Sequence, residues 1–326
     1  VYKRQIVVCA AAKNALLVAS KQFDDIKIVS TGGGAAGIAC LNMLVKLGVK
    51  KKNIWLCDIN GLVYEGRTTD MNAEKAAFAQ KTDLRSLDEV IENADMFLGL
   101  SGPNILTSSM IKKMGAKPII FALANPSPEV MPDIARKAAS DAIIATGRSD
   151  FPNQVNNVLC FPFIFRGALD VEATEINDEM QLACIDAIAE IARKTTSAEA
   201  AAAYQGEALT FGPEYLIPKP FDPRLSVVVS SAVAQAAMRS GVAKKPIADL
   251  ENYKDKLKEG VFKSALLMRP VFEAAKKVKR RIVFAEGEDE RVLRAAQAIL
   301  EETSEQPILI GRPSVLEQRC ERLGLV

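Results

Sequence analysis

The sequence predicts an α/β fold, a doubly wound and mostly parallel sheet, followed by the start of a second α/β domain. Three observations predict it. Short apolar runs recur with helical segments between them: Ile26 to Val29, Ile54 to Cys57, Met96 to Leu100, Pro118 to Leu123 and Ala142 to Ala145. The first run enters Gly32, Gly34 and Gly37, and the apolar stretch Ile38 to Leu47 follows with helical period. From Arg281 a fresh strand–helix alternation begins.

Ile6 to Ser20 carries Ala and Leu at helical spacing and is the first helix. Lys3-Arg4 before Ile6 to Ala12 is similar to a secretory leader, but Lys13 and Asn14 break it after about seven apolar residues, so an ordinary helix is expected. The glycines then fall at G-x-G-x-x-G spacing between a strand and a helix, the phosphate-binding corner of a Rossmann-like dinucleotide fold. Gly32 allows the sharp turn. Gly34 lets backbone approach a pyrophosphate drawn to the helix N-terminus, and Gly37 lets helix and strand pack closely. Ala35 and Ala36 lie between them and are assigned to the cofactor with them. The second strand ends at Asp58, about 20 residues on, where this fold holds an acidic ribose ligand.

A polar loop, Asn60 to Asp70, follows, and Ser86-Leu87-Asp88-Glu89 has the capping-box pattern of a short helix. Met96 to Leu100 ends in Ser101-Gly102-Pro103, and Ser108 to Met114 is a short helix. Pro118 to Leu123 ends in Ala124-Asn125-Pro126-Ser127-Pro128, and Ala142 to Ala145 in Thr146-Gly147-Arg148-Ser149-Asp150. Ligands of open parallel sheets bind at the carboxyl ends of strands, so these polar ends are expected on one rim, with Ser101 near the cofactor. Phe151-Pro152-Asn153-Gln154-Val155-Asn156-Asn157-Val158 holds four side-chain amides, costly to bury without partners. They are assigned to a small polar ligand rather than to turns and caps, because the apolar run Val158 to Phe165 holds them against the core.

Asn177 to Lys194 is an amphipathic helix with Asn177 as its cap, and Ala198 to Ala203 is helical. Phe211 to Pro223 holds four prolines and is irregular. Val227 to Ser240 is a helix stopped near Gly241, and Ile247 to Leu267 a linker helix rich in Lys and Glu. Ile282 to Ala285 and Pro307 to Ile310 are strands, with helices ending at Glu301 and spanning Pro313 to Leu323. Residues 1–245 therefore form a dinucleotide-binding domain with a helical extension, 246–280 a helical linker, and 281–326 the opening of another domain. Two strands bury too little core to stand alone, so that domain is expected to be cut short.

Composition narrows the partners. Hydrophobic residues make up 49% and charged residues 25%, as in soluble globular proteins, and the net charge of +2 makes no electrostatic case for nucleic acid or a membrane surface. No apolar run approaches the roughly 20 residues of a membrane span. Six scattered cysteines without a C-x-x-C pair suit buried free thiols in a reducing cytoplasm. No histidine is present, which excludes a Ser-His-Asp triad, a Cys-His pair and a His-ligated metal within this sequence. Proton transfer is left to Lys, Tyr, Asp, Glu or Cys. A P-loop is excluded by the lack of Gly-Lys-Ser/Thr after the glycines.

The stretch Ala145 to Val158, with the Ala124-Asn125-Pro126 turn and the glycine corner, resembles malic enzyme. The match is to the bacterial hybrid type, in which a malic enzyme is fused to a phosphate-acetyltransferase-like domain. Phe284-Ala285-Glu286-Gly287-Glu288-Asp289-Glu290-Arg291 and Ile310-Gly311-Arg312-Pro313 resemble the opening of that second domain. The resemblance runs from Ile6 to Val326, with Val1 to Gln5 matching nothing. It implies oxidative decarboxylation of malate to pyruvate and carbon dioxide by a homo-oligomer, with reduction of NADP or NAD and a divalent metal, Mg or Mn. It implies that Asn125 and Asn156, with Asn157, hold the substrate carboxylates and that Gly32 to Gly37 hold the cofactor. It also implies that the family's N-terminal domain, with its tyrosine, lysine and metal-binding carboxylates, is absent. No catalytic or metal-binding residue is then expected in this sequence, which should bind cofactor without turning over malate.

Asp58 favours a free ribose 2′-hydroxyl and hence NAD, whereas the resemblance leans to NADP; Arg67, or Lys51 and Lys52, are the candidates to neutralise a 2′-phosphate. Two alternatives remain. Another dehydrogenase on the same fold is opposed by the asparagine motif. The other is a regulatory module whose acetyltransferase-like start senses acyl-CoA or holds subunits together.

Overall fold

The computed structural model describes residues 2–194, 209–220, 222–259, 281–302 and 306–323. The chain divides into two compact units, Val1–Lys258 and Glu259–Val326.

In the first unit the strands β1 (Ile28–Thr31), β2 (Ile54–Asp58), β3 (Gly61–Leu62), β4 (Met96–Gly99), β5 (Ile119–Ala122) and β6 (Ile143–Thr146) form one sheet, in the order β3-β2-β1-β4-β5-β6. All pair in parallel except β3, which runs antiparallel to β2. The strands β1, β4, β5 and β6 are buried along their whole length, which is why they are largely apolar without alternation, with buried polar residues only at Ser30, Thr31 and Thr146. Alternate residues feed opposite cores. Ile119 and Phe121 pack on the side of α1 (Tyr2–Ala19), α2 (Ala35–Lys46), α8 (Asp178–Arg193) and α9 (Arg224–Arg239). Ile120 and Ala122 pack with Val90, Ile111 and Ala135 from α4 (Leu87–Val90), α5 (Ser108–Lys113) and α6 (Pro132–Ala138).

The register levels the strand ends. Thr31 pairs with Cys57 and with Gly99, Gly99 with Ala122, and Ala122 with Thr146. The loops that follow therefore share one rim, as the sequence suggests. At β1 the strand order reverses, with β2 on one side and β4 on the other, and the crevice there is where open sheets take ligands.

Capping follows the sequence closely. Asn177 Oδ1 accepts from the Met180 amide at 3.1 Å, and Ser86 and Glu89 form a reciprocal capping box. The polar loop expected at Asn60 to Asp70 differs, because it contributes the edge strand β3. Gly61 has φ +90°, and a Cβ there would lie 2.4 Å from the Arg85 carbonyl oxygen, so only glycine fits. A two-residue strand carries no periodicity to read. The apolar run after Asn157 becomes a 3-10 turn, Asn157–Leu159, and the helix α7 (Phe163–Asp170). The helix expected at Ala198 to Ala203 lies outside the described residues, and of the expected linker helix residues 250–259 are described and helical.

In the second unit Val283–Phe284 pairs in parallel with Ile308–Leu309, each strand followed by a helix, Glu290–Glu302 and Pro313–Leu323. Among the described residues no helix is long and apolar enough to cross a membrane.

Candidate active site

The glycine corner differentiates its three glycines. Gly32 has φ +105°, and a Cβ there would lie 2.4 Å from the Leu100 carbonyl oxygen. A Cβ on Gly37 would lie 1.9 Å from the Gly32 carbonyl oxygen, so the helix can seat this close to the turn only without one. Gly34 has an ordinary φ of −81° and nothing within 4 Å of its Cβ position. It is exposed and caps α2 with no side-chain bond. The first amides of α2, at Ala35, Ala36 and Gly37, have no intrahelical acceptor, as at any helix N-terminus, and such an end attracts an anion. Gly32 to Gly34 line a groove of about 720 Å³ with Asp58, Lys75 and Ser101, whereas Ala35, Ala36 and Gly37, assigned to the cofactor from the sequence, are not among its lining residues. Ser101 Oγ donates to Thr31 Oγ1 at 2.8 Å, tying the ends of β4 and β1 together.

Asp58, at the end of β2, is not the bare acid that the sequence suggests. Its carboxylate takes Arg67 at 2.7 Å on both oxygens and Lys75 Nζ at 2.9 Å, and it accepts from the Asn60 amide at 2.9 Å. Lys75 also donates to Asp70 at 2.6 Å. Burial would raise the Asp58 pKa, but hydrogen bonds from Lys75, Arg67 and the Asn60 amide outweigh it, and the net shift is downward. For Lys75 burial lowers the pKa and the two carboxylates more than reverse it. Two acids and two bases leave this corner neutral. Lys51 and Lys52, weighed above as phosphate partners, precede β2, at the opposite end of the strand from Asp58, and do not reach the groove.

Asn125, Asn156 and Asn157 come together. They line one small pocket of about 150 Å³ with Leu123, Gly147, Val155 and Arg4. Gly147 gives room, since a Cβ there would lie 2.9 Å from Asn125 Nδ2. Asn156 Oδ1 accepts from the Val158 amide at 3.1 Å, which leaves its Nδ2 to donate. The amides of Asn125 and Asn157 make no hydrogen bond among the described residues. Asn153, grouped with them in the sequence, is instead a brace. It is buried, donates to the Ile144 and Pro213 carbonyls at 2.9 and 2.6 Å, and accepts from the Leu216 amide at 2.7 Å.

Two residues of the site carry no signal in the sequence. Lys75 gives no spacing signal, since its partner Asp58 lies 17 positions away. Glu129 is fully buried behind the rim and accepts from the backbone amides of Ser101 at 2.9 Å and Ala124 at 3.1 Å. Cysteine chemistry is disfavoured, because burial pushes the Cys57 thiol beside the groove up to about 12. Among the described residues no group of three His, Cys, Asp or Glu side chains is placed to hold a metal ion.

The family model described as "Malic enzyme, NAD binding domain" matches residues 4–204, and "Phosphate acetyl/butaryl transferase" matches residues 266–326. The first match takes in Arg4 and Gln5, which were expected to lie outside the resemblance. The chain is 56% identical over 321 residues to an NADP-dependent malic enzyme of Escherichia coli, covering 98% of this chain and 42% of that protein. It is equally, 56%, identical to an NAD-dependent malic enzyme of Rhizobium meliloti over the same shares of each. Among solved structures it is similar to an Entamoeba histolytica malic enzyme, with a TM-score of 0.71 and 31% identity over 83% of this chain and 55% of that one. A malic enzyme from Pyrococcus horikoshii gives 0.66 and 33% over 85% and 61%. The chain thus spans less than half the length of the curated relatives quoted.

Proposed function

The chain belongs to the malic enzyme family, and from that premise we propose that it holds cofactor and substrate in an NADP-dependent oxidative decarboxylation of malate to pyruvate and carbon dioxide. The observation that carries the proposal is the convergence of Asn125, Asn156 and Asn157 in one pocket on the rim where the glycine corner opens α2.

The roles follow from chemistry. The first amides of α2 take the pyrophosphate, and Gly34 lets it approach. Asp58 lies where the adenosine ribose falls, and Lys75, shared between two carboxylates, is placed to turn to a 2′-phosphate. With Arg67 holding Asp58 on both oxygens, the acid no longer repels that phosphate as a bare carboxylate would. This supports NADP over NAD. The asparagine amides donate to the malate carboxylates and orient C2 without adding charge.

A bound nicotinamide accepts the hydride from C2, but the C2 hydroxyl proton needs an acceptor. The residues that line the asparagine pocket include no lysine, tyrosine or carboxylate to take it. No donor set among the described residues fits the divalent metal, so no step is assigned to it. The match over residues 266–326 supports a further part of the proposal, an acyl-CoA effector bound by the second unit of a homo-oligomer.

The test is calorimetric titration of the chain with NADP, then addition of malate with magnesium or manganese. The expected result is cofactor binding without NADPH formation. Clear malate-dependent reduction by this chain, or failure to bind NADP, would contradict the proposal.

A further inference from the structure

Glu129 has no place in the roles given above, and its surroundings are unusual. It is 0% exposed. Oε1 accepts from the Ser101 amide at 2.9 Å and Oε2 from the Ala124 amide at 3.1 Å, while Ser101 Oγ, whose proton goes to Thr31 Oγ1, lies 3.5 Å from Oε1. Both backbone amides are donors, the pattern that an ionised carboxylate accepts. Among the described residues it forms no ion pair, whereas the buried Asp222 and the half-buried Asp58 each hold an arginine. A buried charge without a counter-charge is costly and uncommon.

The fold makes room for it. A Cβ on Gly99, the last residue of β4, would lie 2.4 Å from Glu129 Cδ and 2.7 Å from Oε1. The strand ends in glycine where the carboxyl group sits.

The place is as telling as the charge. Ser101 lines the cofactor groove, and Ala124 precedes Asn125 of the substrate pocket. A dinucleotide with its adenosine ribose at Asp58 and its pyrophosphate at α2 runs away from β2. Its other end therefore approaches the loops after β4 and β5, which Glu129 joins. The oxidised and reduced cofactors differ in charge only at the nicotinamide ring, positive in one and neutral in the other. Resting on the cofactor reading above, we infer that Glu129 biases this site toward the oxidised cofactor, strengthening NADP+ binding relative to NADPH and favouring release of the reduced product. A buried carboxylate acts with little solvent screening.

The experiment compares Kd for NADP+ and NADPH, by calorimetry, in the wild-type chain, Glu129→Gln and Glu129→Asp. The wild-type chain should bind NADP+ no more weakly than NADPH. Glu129→Gln keeps the size and removes the charge, and should move the ratio of the two Kd values toward NADPH by roughly tenfold. Glu129→Asp keeps the charge and should keep the wild-type ratio within about twofold, even where its Tm falls. A merely structural role for Glu129 moves both Kd values together and leaves the ratio alone.

An unchanged ratio in Glu129→Gln, or an equal shift in Glu129→Asp, would overturn the inference. Should Glu129→Gln fail to fold, a tenfold preference of the wild-type chain for NADPH would overturn it, and the preference for NADP+ with an unshifted Glu129→Asp would uphold it. If neither form binds the wild-type chain, the cofactor reading falls and takes the inference with it.

Discussion

On the proposed reading, the four charged side chains at Asp58 set which cofactor the groove prefers. Lys75 donates to both Asp58 and Asp70, and Arg67 is fixed on Asp58 and on backbone carbonyls. Lys75→Ala should therefore weaken NADP binding by at least tenfold and NAD binding by less than threefold, read as two Kd values by titration. A carboxyl whose pKa is lower in the folded chain keeps its charge until the pH falls below the usual value of about 3.9. A lysine whose pKa is raised keeps its charge until the pH rises past about 10.4. The wild-type preference should accordingly be flat between about pH 7 and pH 9, and fade below about pH 6, where the 2′-phosphate itself gains a proton. Gly32 and Gly37 were legible from spacing alone, because backbone geometry demands glycine locally. Lys75 and Glu129 were not, because Asp58 and Ser101, the partners that join them to the rim, lie 17 and 28 positions away and only the fold brings them together.

Among the elements, the strand ends matter most. Level register places Thr31, Cys57, Gly99, Ala122 and Thr146 on one rim, so a polar turn after each strand becomes part of one surface. The alternation of apolar strands and helices made this legible, since a parallel sheet must be buried on both faces. The segment after β6 was legible only in part. Asn153, Asn156 and Asn157 look alike in sequence, yet Asn153 is buried and spends its amide on Ile144, Pro213 and Leu216, while the others line a pocket. Nothing local tells an amide that braces a distant loop from one that faces a ligand. Asn153→Ala should lower stability by roughly 2–4 kcal/mol, because it leaves a buried amide and two carbonyls unpaired. Urea unfolding should show that loss, while the Kd for NADP stays within about twofold. A large change in Kd with stability unchanged would return Asn153 to the binding residues. The edge strand β3 was missed for a different reason, since its two residues depend on Gly61 fitting beneath the Arg85 carbonyl.

For the whole molecule, the first unit combines a glycine corner, a charge-neutral corner at Asp58 and an asparagine pocket on one sheet, and the second unit carries the acetyl/butaryl transferase match. The chain covers 42% of the length of its Escherichia coli relative. What this rim must do by itself is seat a dinucleotide. Gly34 separates that duty from folding, because its φ is ordinary, its Cβ position is empty, and alanine at a helix N-cap costs only about 1 kcal/mol. The most direct measurement is calorimetric binding of NADP to the wild-type chain and to Gly34→Ala. Saturable one-to-one binding by the wild-type chain is expected, with at least tenfold weaker binding by Gly34→Ala and Tm lowered by no more than a few degrees. Equal affinity in the two chains would contradict this, because the diphosphate would then not lie against the amides that open α2.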